Sequence, residues 1–281
     1  MEVKKAAQLS LLGAQARRSA LEMVYRATSG HLGGSMSLCE ILSVLYFDTM
    51  RIDPAKPDDP DRDRFVLSKG HCTPALYSVL AMRGFFPREM LSTFRSIDGH
   101  LSGHAEMRHV PGVDMSTGSL GQGISTAVGM ALAGQVDKKD YRVYAVLGDG
   151  ELEEGQVWEA AMFAGAKHLD NLVVIVDNNG LQIDGNVADV NSPYPIDKKF
   201  EAFNFHTINI NGNDFDEIRA AFAEARATKG MPTAIIAKTL KGKGVSFMEN
   251  AVDWHGKAPN DDEYKIAMED LEKAGAALCQ N

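Results

Sequence analysis

The run Arg142-Val143-Tyr144-Ala145-Val146-Leu147 is strand-like and ends in Gly148-Asp149-Gly150; a second run, Leu172 to Val176, ends in Asp177-Asn178-Asn179. Between the two turns lie the 27 residues Glu151 to Asp177, enough for one crossover helix and one strand of a βαβ unit. That spacing brings a short carboxylate and an amide oxygen to the same carboxyl rim of a parallel sheet. Glycines beside the carboxylate let backbone approach an anion closely. One carboxylate, one amide and a nearby carbonyl form an incomplete shell for a hard cation, and Mg²⁺ commonly completes its octahedron with water and substrate phosphate. The expected ligand is a diphosphate held through a metal. Gly-Asp-Gly taken by itself reads equally as an ordinary turn; the second turn at one βαβ length separates the two readings.

Strand and helix patterns alternate elsewhere as well. Short strands are expected at Arg64 to Ser68, Ile208 to Ile210 and Thr233 to Lys238, with helices at Lys5 to Thr28, Pro74 to Arg83, Ile124 to Gly134, Glu153 to His168, Asp214 to Thr228 and Asp261 to Leu278. The pattern predicts an α/β fold with a doubly wound parallel sheet flanked by helices. Ser37 followed by Glu40 predicts a capping box for a helix running to about Met50.

At 281 residues and 44% apolar composition, the chain can hold one large α/β domain or two small ones; one domain spanning 1–281 is the expectation. A net charge of −9 leaves no broad cationic surface for nucleic acid or anionic membrane, so any phosphate site must be local. Cys39, Cys72 and Cys279 are odd in number and scattered, which fits a reducing cytoplasm better than a disulfide framework. No run approaches membrane-spanning length, and neither an export signal nor a membrane partner is expected.

Four loops carry further candidates: Ser29-Gly30-His31, Ser68-Lys69-Gly70-His71, Gly103-His104-Ala105-Glu106 and Trp254-His255-Gly256. His100 and His109 read as surface residues. The histidine spacings near residue 104 lie in a glycine-containing loop without cysteine, a poor match to zinc. Ser116-Thr117-Gly118-Ser119-Leu120-Gly121-Gln122-Gly123 precedes an Ala/Gly-rich helix and offers backbone N–H groups to an anion. Its order of glycines is not the dinucleotide fingerprint, and Lys238 to Gly244 lacks the glycines of a P-loop. The Ala/Gly helix suits a close helix contact across a subunit interface and, equally, close packing inside the chain.

Gly148-Asp149-Gly150 with Asn178-Asn179 resembles the thiamine-diphosphate motif of transketolases, pyruvate-type decarboxylases and 2-oxo-acid dehydrogenases. The histidine loops, the Thr117 to Gly123 segment and Lys241-Gly242-Lys243-Gly244 resemble transketolases in particular, with alanine in place of proline at Ala105. The resemblance implies a diphosphate-binding (PP-type) thiamine-diphosphate fold. It implies metal ligation by Asp149, Asn179 and the backbone of Leu181, with Mg²⁺ as the ion and Ca²⁺ or Mn²⁺ as substitutes. It implies cofactor contacts from His71, Gly118, Ser119, Leu120, Gly148, Asp149, Gly150, Glu154, Asn179 and His255. His31, His71, His104 and His255 would face substrate, with pKa values near neutrality, and Glu154 and Glu159 would join a proton network across an interface.

In that family a glutamate from a separate pyrimidine-binding domain is indispensable, and this sequence ends before such a domain. The expectation is the diphosphate-binding subunit of a split transketolase, active with a second chain in an α2β2 assembly and acting on sugar phosphates. A diphosphate-binding subunit of a 2-oxo-acid dehydrogenase or deoxyxylulose-phosphate synthase type, and a non-catalytic regulatory subunit, are the alternatives.

Overall fold

The computed structural model describes residues 2–278; Cys279 lies outside them. Strands β1 (Arg64–Leu67), β2 (Val143–Gly148), β3 (Leu172–Asn178), β6 (His206–Asn211) and β7 (Thr233–Lys238) form one sheet in the order β1-β2-β3-β7-β6, and every pairing in it is parallel. The short strands β4 (Leu181–Gln182) and β5 (Gly185–Asn186) pair antiparallel just beyond the end of β3. The expected α/β fold with a parallel sheet is present.

Helices cover both faces, so the central strands are apolar throughout rather than alternating with polar residues. The pleat still divides them. Val173 and Ile175 of β3 join the core beneath the helices Glu2–Ala27, Cys39–Val44, Thr73–Arg83 and Phe215–Ala227. Leu172, Val174 and Val176 join a second core beneath Gln122–Val136 and Gly155–Ala166. The first helix buries Leu9, Ala16, Ala20, Met23 and Val24 on one face, as its spacing predicts.

Strand ends are level across the sheet. Gly148 stands beside Asp177, and Asn178 beside Lys238. The chain leaves β1, β2, β3 and β7 on the same rim, and β7 is inserted between β3 and the edge strand β6. The order of the sheet therefore reverses next to β3, the kind of place where open α/β sheets form a crevice for ligands.

Two local expectations are corrected. Ser37 and Glu40 do not form a capping box. Ser37 is the C-cap of the short helix Gly33–Met36, and its hydroxyl donates to Gly34 O at 3.0 Å and Asp177 Oδ2 at 2.6 Å. Glu40 receives Arg17 Nη2 on both oxygens, at 2.8 and 2.7 Å, so a buried ion pair takes the glutamate away from the helix terminus. The helix expected from Ser37 to about Met50 runs instead as Cys39–Val44 followed by a wider turn, Leu45–Thr49, and a separate short helix, Gly33–Met36, precedes it. The helix after Gly148-Asp149-Gly150 starts at Gly155, with Glu154 as its N-cap residue and Gly150–Glu153 forming a separate tight turn.

Candidate functional site

Asp149 follows β2 and is 2% exposed. Its Oδ1 accepts from Gly150 N at 3.0 Å, and its Oδ2 from Gly180 N at 2.5 Å. The second contact ties the β2 turn to the β3 turn, as the spacing of the motif requires. Burial pushes the Asp149 carboxyl up to about 6, with the Asp177 charge adding to the rise and the two backbone donors and Lys69 opposing it.

Asn179 donates through Nδ2 to Asp177 Oδ2 at 3.0 Å and accepts the Leu181 N–H on Oδ1 at 3.1 Å. Its amide is thereby fixed with the oxygen on the side of Leu181. The Leu181 carbonyl accepts from Lys241 Nζ at 2.8 Å. A carboxylate, an amide oxygen and a backbone carbonyl are hard oxygen donors, the set suited to Mg²⁺ or Ca²⁺. The raised Asp149 carboxyl is the physical mark of a buried acid whose own surroundings undercompensate its charge. Among the described residues no group of three or more His, Cys, Asp or Glu is placed to hold a metal, so an ion here would be bound by this mixed set and completed by other ligands.

A cavity of about 210 Å³ opens against these groups. It brings together His31, His71, His104 and His255 with Gly118, Leu120, Gly148, Asp149, Gly150, Asn179 and Leu181. The histidine rings form one cluster: His31 stands 5.1 Å from His71, 5.9 Å from His104 and 5.5 Å from His255, and His71 stands 5.2 Å from His255, between centroids. A larger groove of about 490 Å³ lies between the first helix and residues 88–92 and includes none of these residues.

Glycine makes the crowding possible. A Cβ on Gly70 would lie 2.6 Å from the Thr117 carbonyl carbon, and one on Gly123 would lie 2.6 Å from Ser68 Cα. The loop after β1 and the Thr117 to Gly123 loop therefore pack backbone against backbone, which places His71 and Gly118 on one cavity.

Three expected site residues stand apart. Ser119 is exposed and lines a neighbouring open depression with Glu106 and Gln122. Glu154 and Glu159 are exposed on the outer surface beside the helix Gln122–Val136 and do not line the cavity. His100 and His109 are exposed, as expected.

The histidines also differ from expectation in their protonation. Burial, with the charges of Arg95 and Lys241 and neighbouring rings, holds His31 down at about 4. Burial and Lys241 hold His255 at about 3. His71 is driven well below the usual histidine range by burial and Lys69, and His104 is lowered by burial and Arg95. All four are neutral at physiological pH in the chain by itself, offering one donor and one acceptor each.

Four residues under the cavity escaped the reading of the sequence: Lys69, Asp177, Glu151 and Lys241. Asp177 is fully buried and accepts from Lys69 Nζ, Ser37 Oγ, Asn179 Nδ2 and Thr239 Oγ1. It thus joins four separate loops and orients Asn179. Burial opposes its charge, but Lys69 and the hydroxyl donors hold the carboxyl below its ordinary value. Glu151 is buried and accepts from Ser68 Oγ, Gly121 N at 2.9 Å and Gly148 N at 3.0 Å, locking the glycine loop to the β2 turn. Lys241 also faces His255 Nδ1 at 3.0 Å. The signal for Asp177 and Lys69 was present: a charge at the end of a fully apolar strand needs a buried partner.

Residues 11–274 match the family described as transketolase, thiamine diphosphate binding domain. The chain belongs to the transketolase family. Two curated relatives match nearly their whole length. One is the 6-deoxy-6-sulfo-D-fructose transketolase subunit SqwG of Clostridium sp. (strain MSTE9), 47% identical over 92% of this chain and 94% of that protein. The other is one of the subunits of the apulose-4-phosphate transketolase of Phocaeicola vulgatus, 42% identical over 94% of this chain and 93% of that protein. Against the transketolase of Mus musculus, identity is 46% over 86% of this chain but only 38% of that protein. The solved transketolase of Campylobacter jejuni superposes with a TM-score of 0.88 at 33% identity, covering 96% of this chain and 45% of that one. The chain thus spans less than half of the transketolases it matches in the mouse and in Campylobacter. As a member of this family it is a transferase domain that takes thiamine diphosphate, and among its described residues no helix is long and apolar enough to cross a membrane.

Proposed function

We propose that this chain is the diphosphate-binding subunit of a split transketolase and contributes one half of an active site that moves a two-carbon ketol unit from a ketose to an aldose phosphate. The observation that carries this is the cavity at the carboxyl ends of β1, β2, β3 and β7, where four histidines meet Asp149, Asn179 and the Leu181 carbonyl. Thiamine diphosphate, when bound, supplies the carbanion chemistry. The chain's own groups bind, orient and hold protons.

In this reading Asp149, Asn179 and Leu181 O hold Mg²⁺, for which Ca²⁺ or Mn²⁺ can substitute. His71, Gly118, Ser119, Leu120, Gly148, Gly150 and His255 border the cofactor. His31, His71, His104 and His255 act as neutral hydrogen-bonding groups toward the hydroxyls and the anionic end of an open-chain sugar. Lys241 holds the Leu181 carbonyl and His255 together. Ser119, Glu154 and Glu159 are exposed in the chain alone, so their roles belong to an assembly in which a partner covers that face. The partner carries the pyrimidine-binding domain and its glutamate, the assembly is α2β2, and the location is cytoplasmic. Both nearly full-length relatives are named as transketolase subunits, which supports a separate partner chain, and their names admit phosphorylated or sulfonated ketose substrates for this enzyme. Four clustered histidines favour ketol transfer between polyols over 2-oxo-acid chemistry, which has fewer hydroxyl groups to recognise.

The test is reconstitution. This chain mixed with its partner is expected to transfer ketol groups at a rate neither chain reaches alone, and full activity of the isolated chain sinks the split-enzyme reading. Asp149→Ala is expected to abolish metal-dependent thiamine-diphosphate binding by calorimetry, and retained binding removes the metal assignment.

A further inference from the structure

Behind the histidine cluster, Arg95 is a half-buried guanidinium without a carboxylate. None of the ion pairs among the described residues includes it. Its acceptors are neutral: Nη1 donates to Ser29 Oγ at 3.1 Å, Nη2 stands 3.5 Å from His31 Nδ1, and Nε is buried without a partner. The residue is held there at some expense. Its backbone is left-handed, with φ of 57°, a conformation that costs a non-glycine residue roughly 1 kcal/mol or more. Its N–H donates to Leu101 O at 2.8 Å. A Cβ on Gly103 would come within 2.4 Å of the guanidinium, so glycine at 103 is what leaves room for the head group.

Guanidinium offers donors only and keeps its charge at every pH a protein survives. A protonated Nδ1 would set N–H against N–H, so the lone pair of Nδ1 must face Arg95. The one proton of the neutral ring then sits on Nε2. A Cβ on Gly256 would lie 3.8 Å from that atom, so the Nε2 edge is turned toward the Trp254-His255-Gly256 loop that borders the cavity.

We propose that Arg95 is a positioning residue that fixes His31 as the neutral Nε2–H tautomer, so that His31 presents a hydrogen-bond donor to a substrate oxygen. The proposal rests on the reading of the cavity as the transketolase site. The other titratable groups facing His31 are His71, His104, His255 and Lys241, none of them a carboxylate. Arg95 adds a cation to a ring that already has no anion to stabilise its protonated form, and it touches Nδ1, leaving the other nitrogen for substrate.

The proton can be located directly by two-bond proton–nitrogen spectra of the full chain with ring-labelled histidine, His31 being assigned by loss of its signals in His31→Gln. The expected pattern is Nε2–H, unchanged from pH 8 down to about 5. An Nδ1–H pattern in the wild-type chain overturns the proposal, whatever any variant does. In Arg95→Gln, whose amide can donate or accept, mixed tautomers are expected and the His31 midpoint should rise by about a unit or more toward the ordinary 6.5; Arg95→Lys should restore the wild-type pattern. With the partner chain, Arg95→Gln should lower kcat roughly tenfold to a hundredfold with a smaller change in KM. An unaltered tautomer in Arg95→Gln, or equal losses in Arg95→Lys and Arg95→Gln, would show the arginine to be structural only. Because the spectra need no partner and no turnover, absence of transketolase activity would fail the function and leave the tautomer result standing.

Discussion

Asp149 illustrates how a single residue can be unsuited to the chain alone and suited to its ligand. Its folded value of about 6 lies above the ordinary carboxylate value of about 3.9, so in the absence of metal the carboxyl holds a proton until the pH rises past 6. A cation must displace that proton below 6 and need not above it. Mg²⁺-dependent affinity for thiamine diphosphate is therefore expected to fall by roughly tenfold per pH unit below 6 and to level off above it. Calorimetry at pH 5, 6 and 7 checks this, and a flat profile would mean that Asp149 is not a ligand. Asp177 and Lys69 are the opposite case, a pair completed within the chain. Lys69→Met would leave Asp177 buried with neutral donors only, and the expected cost is about 3–5 kcal/mol in denaturant unfolding. A much smaller loss would mean that the Ser37, Asn179 and Thr239 donors suffice.

The helices are placed by contacts that their own patterns do not encode. In Gly155–Ala166, alanine at Gly165 would gain up to about 1 kcal/mol of helix propensity, yet its Cβ would come 1.7 Å from the Phe203 carbonyl oxygen. Backbone cannot yield as a flexible side chain can, so the clash should win. Gly165→Ala is expected to destabilise the chain by about 1–3 kcal/mol or more, and a gain in melting temperature would show that residues 200–204 can move aside. The same logic explains the misread capping box. Ser37 and Glu40 have the right spacing, but Asp177 and Arg17, far away in sequence, bind them more strongly than a helix terminus would. Local spacing predicted the strands well, Thr233–Lys238 to the residue, because a buried parallel strand is marked by its own apolar run. It missed the helices Val187–Asn191 and Ile196–Ala202, which are too short to show a period.

For the whole molecule, the outer face of Gln122–Val136 and Gly155–Ala166 is the place to look for a partner. Val136, Met162 and Phe163 are 70%, 58% and 40% exposed there, and Glu154 and Glu159 lie on the same surface. If the assembly covers this face, Phe163→Glu should lower the assembled mass in sedimentation while leaving the melting temperature of the isolated chain within a few degrees. Unchanged assembly would move the interface elsewhere.

The sequence by itself determined the chemistry available: a carboxylate and an amide at one βαβ spacing, four histidines in separate loops, and an alternation of strand and helix that admits a parallel sheet. These are legible because a motif is local and a buried strand declares itself in composition. Only the tertiary structure decided which loops share the rim, since sheet order depends on pairings between residues far apart in the chain. It showed that the histidines are clustered, with His31, His71 and His255 half-buried and His104 more open, and kept neutral, because desolvation and cationic neighbours are properties of an environment rather than of a residue. It turned Asp177 from the residue before Asn178-Asn179 into the acceptor joining four loops. It also placed Gly148-Asp149-Gly150, Glu154 and Glu159 on different surfaces, the first inside the cavity and the glutamates outside it.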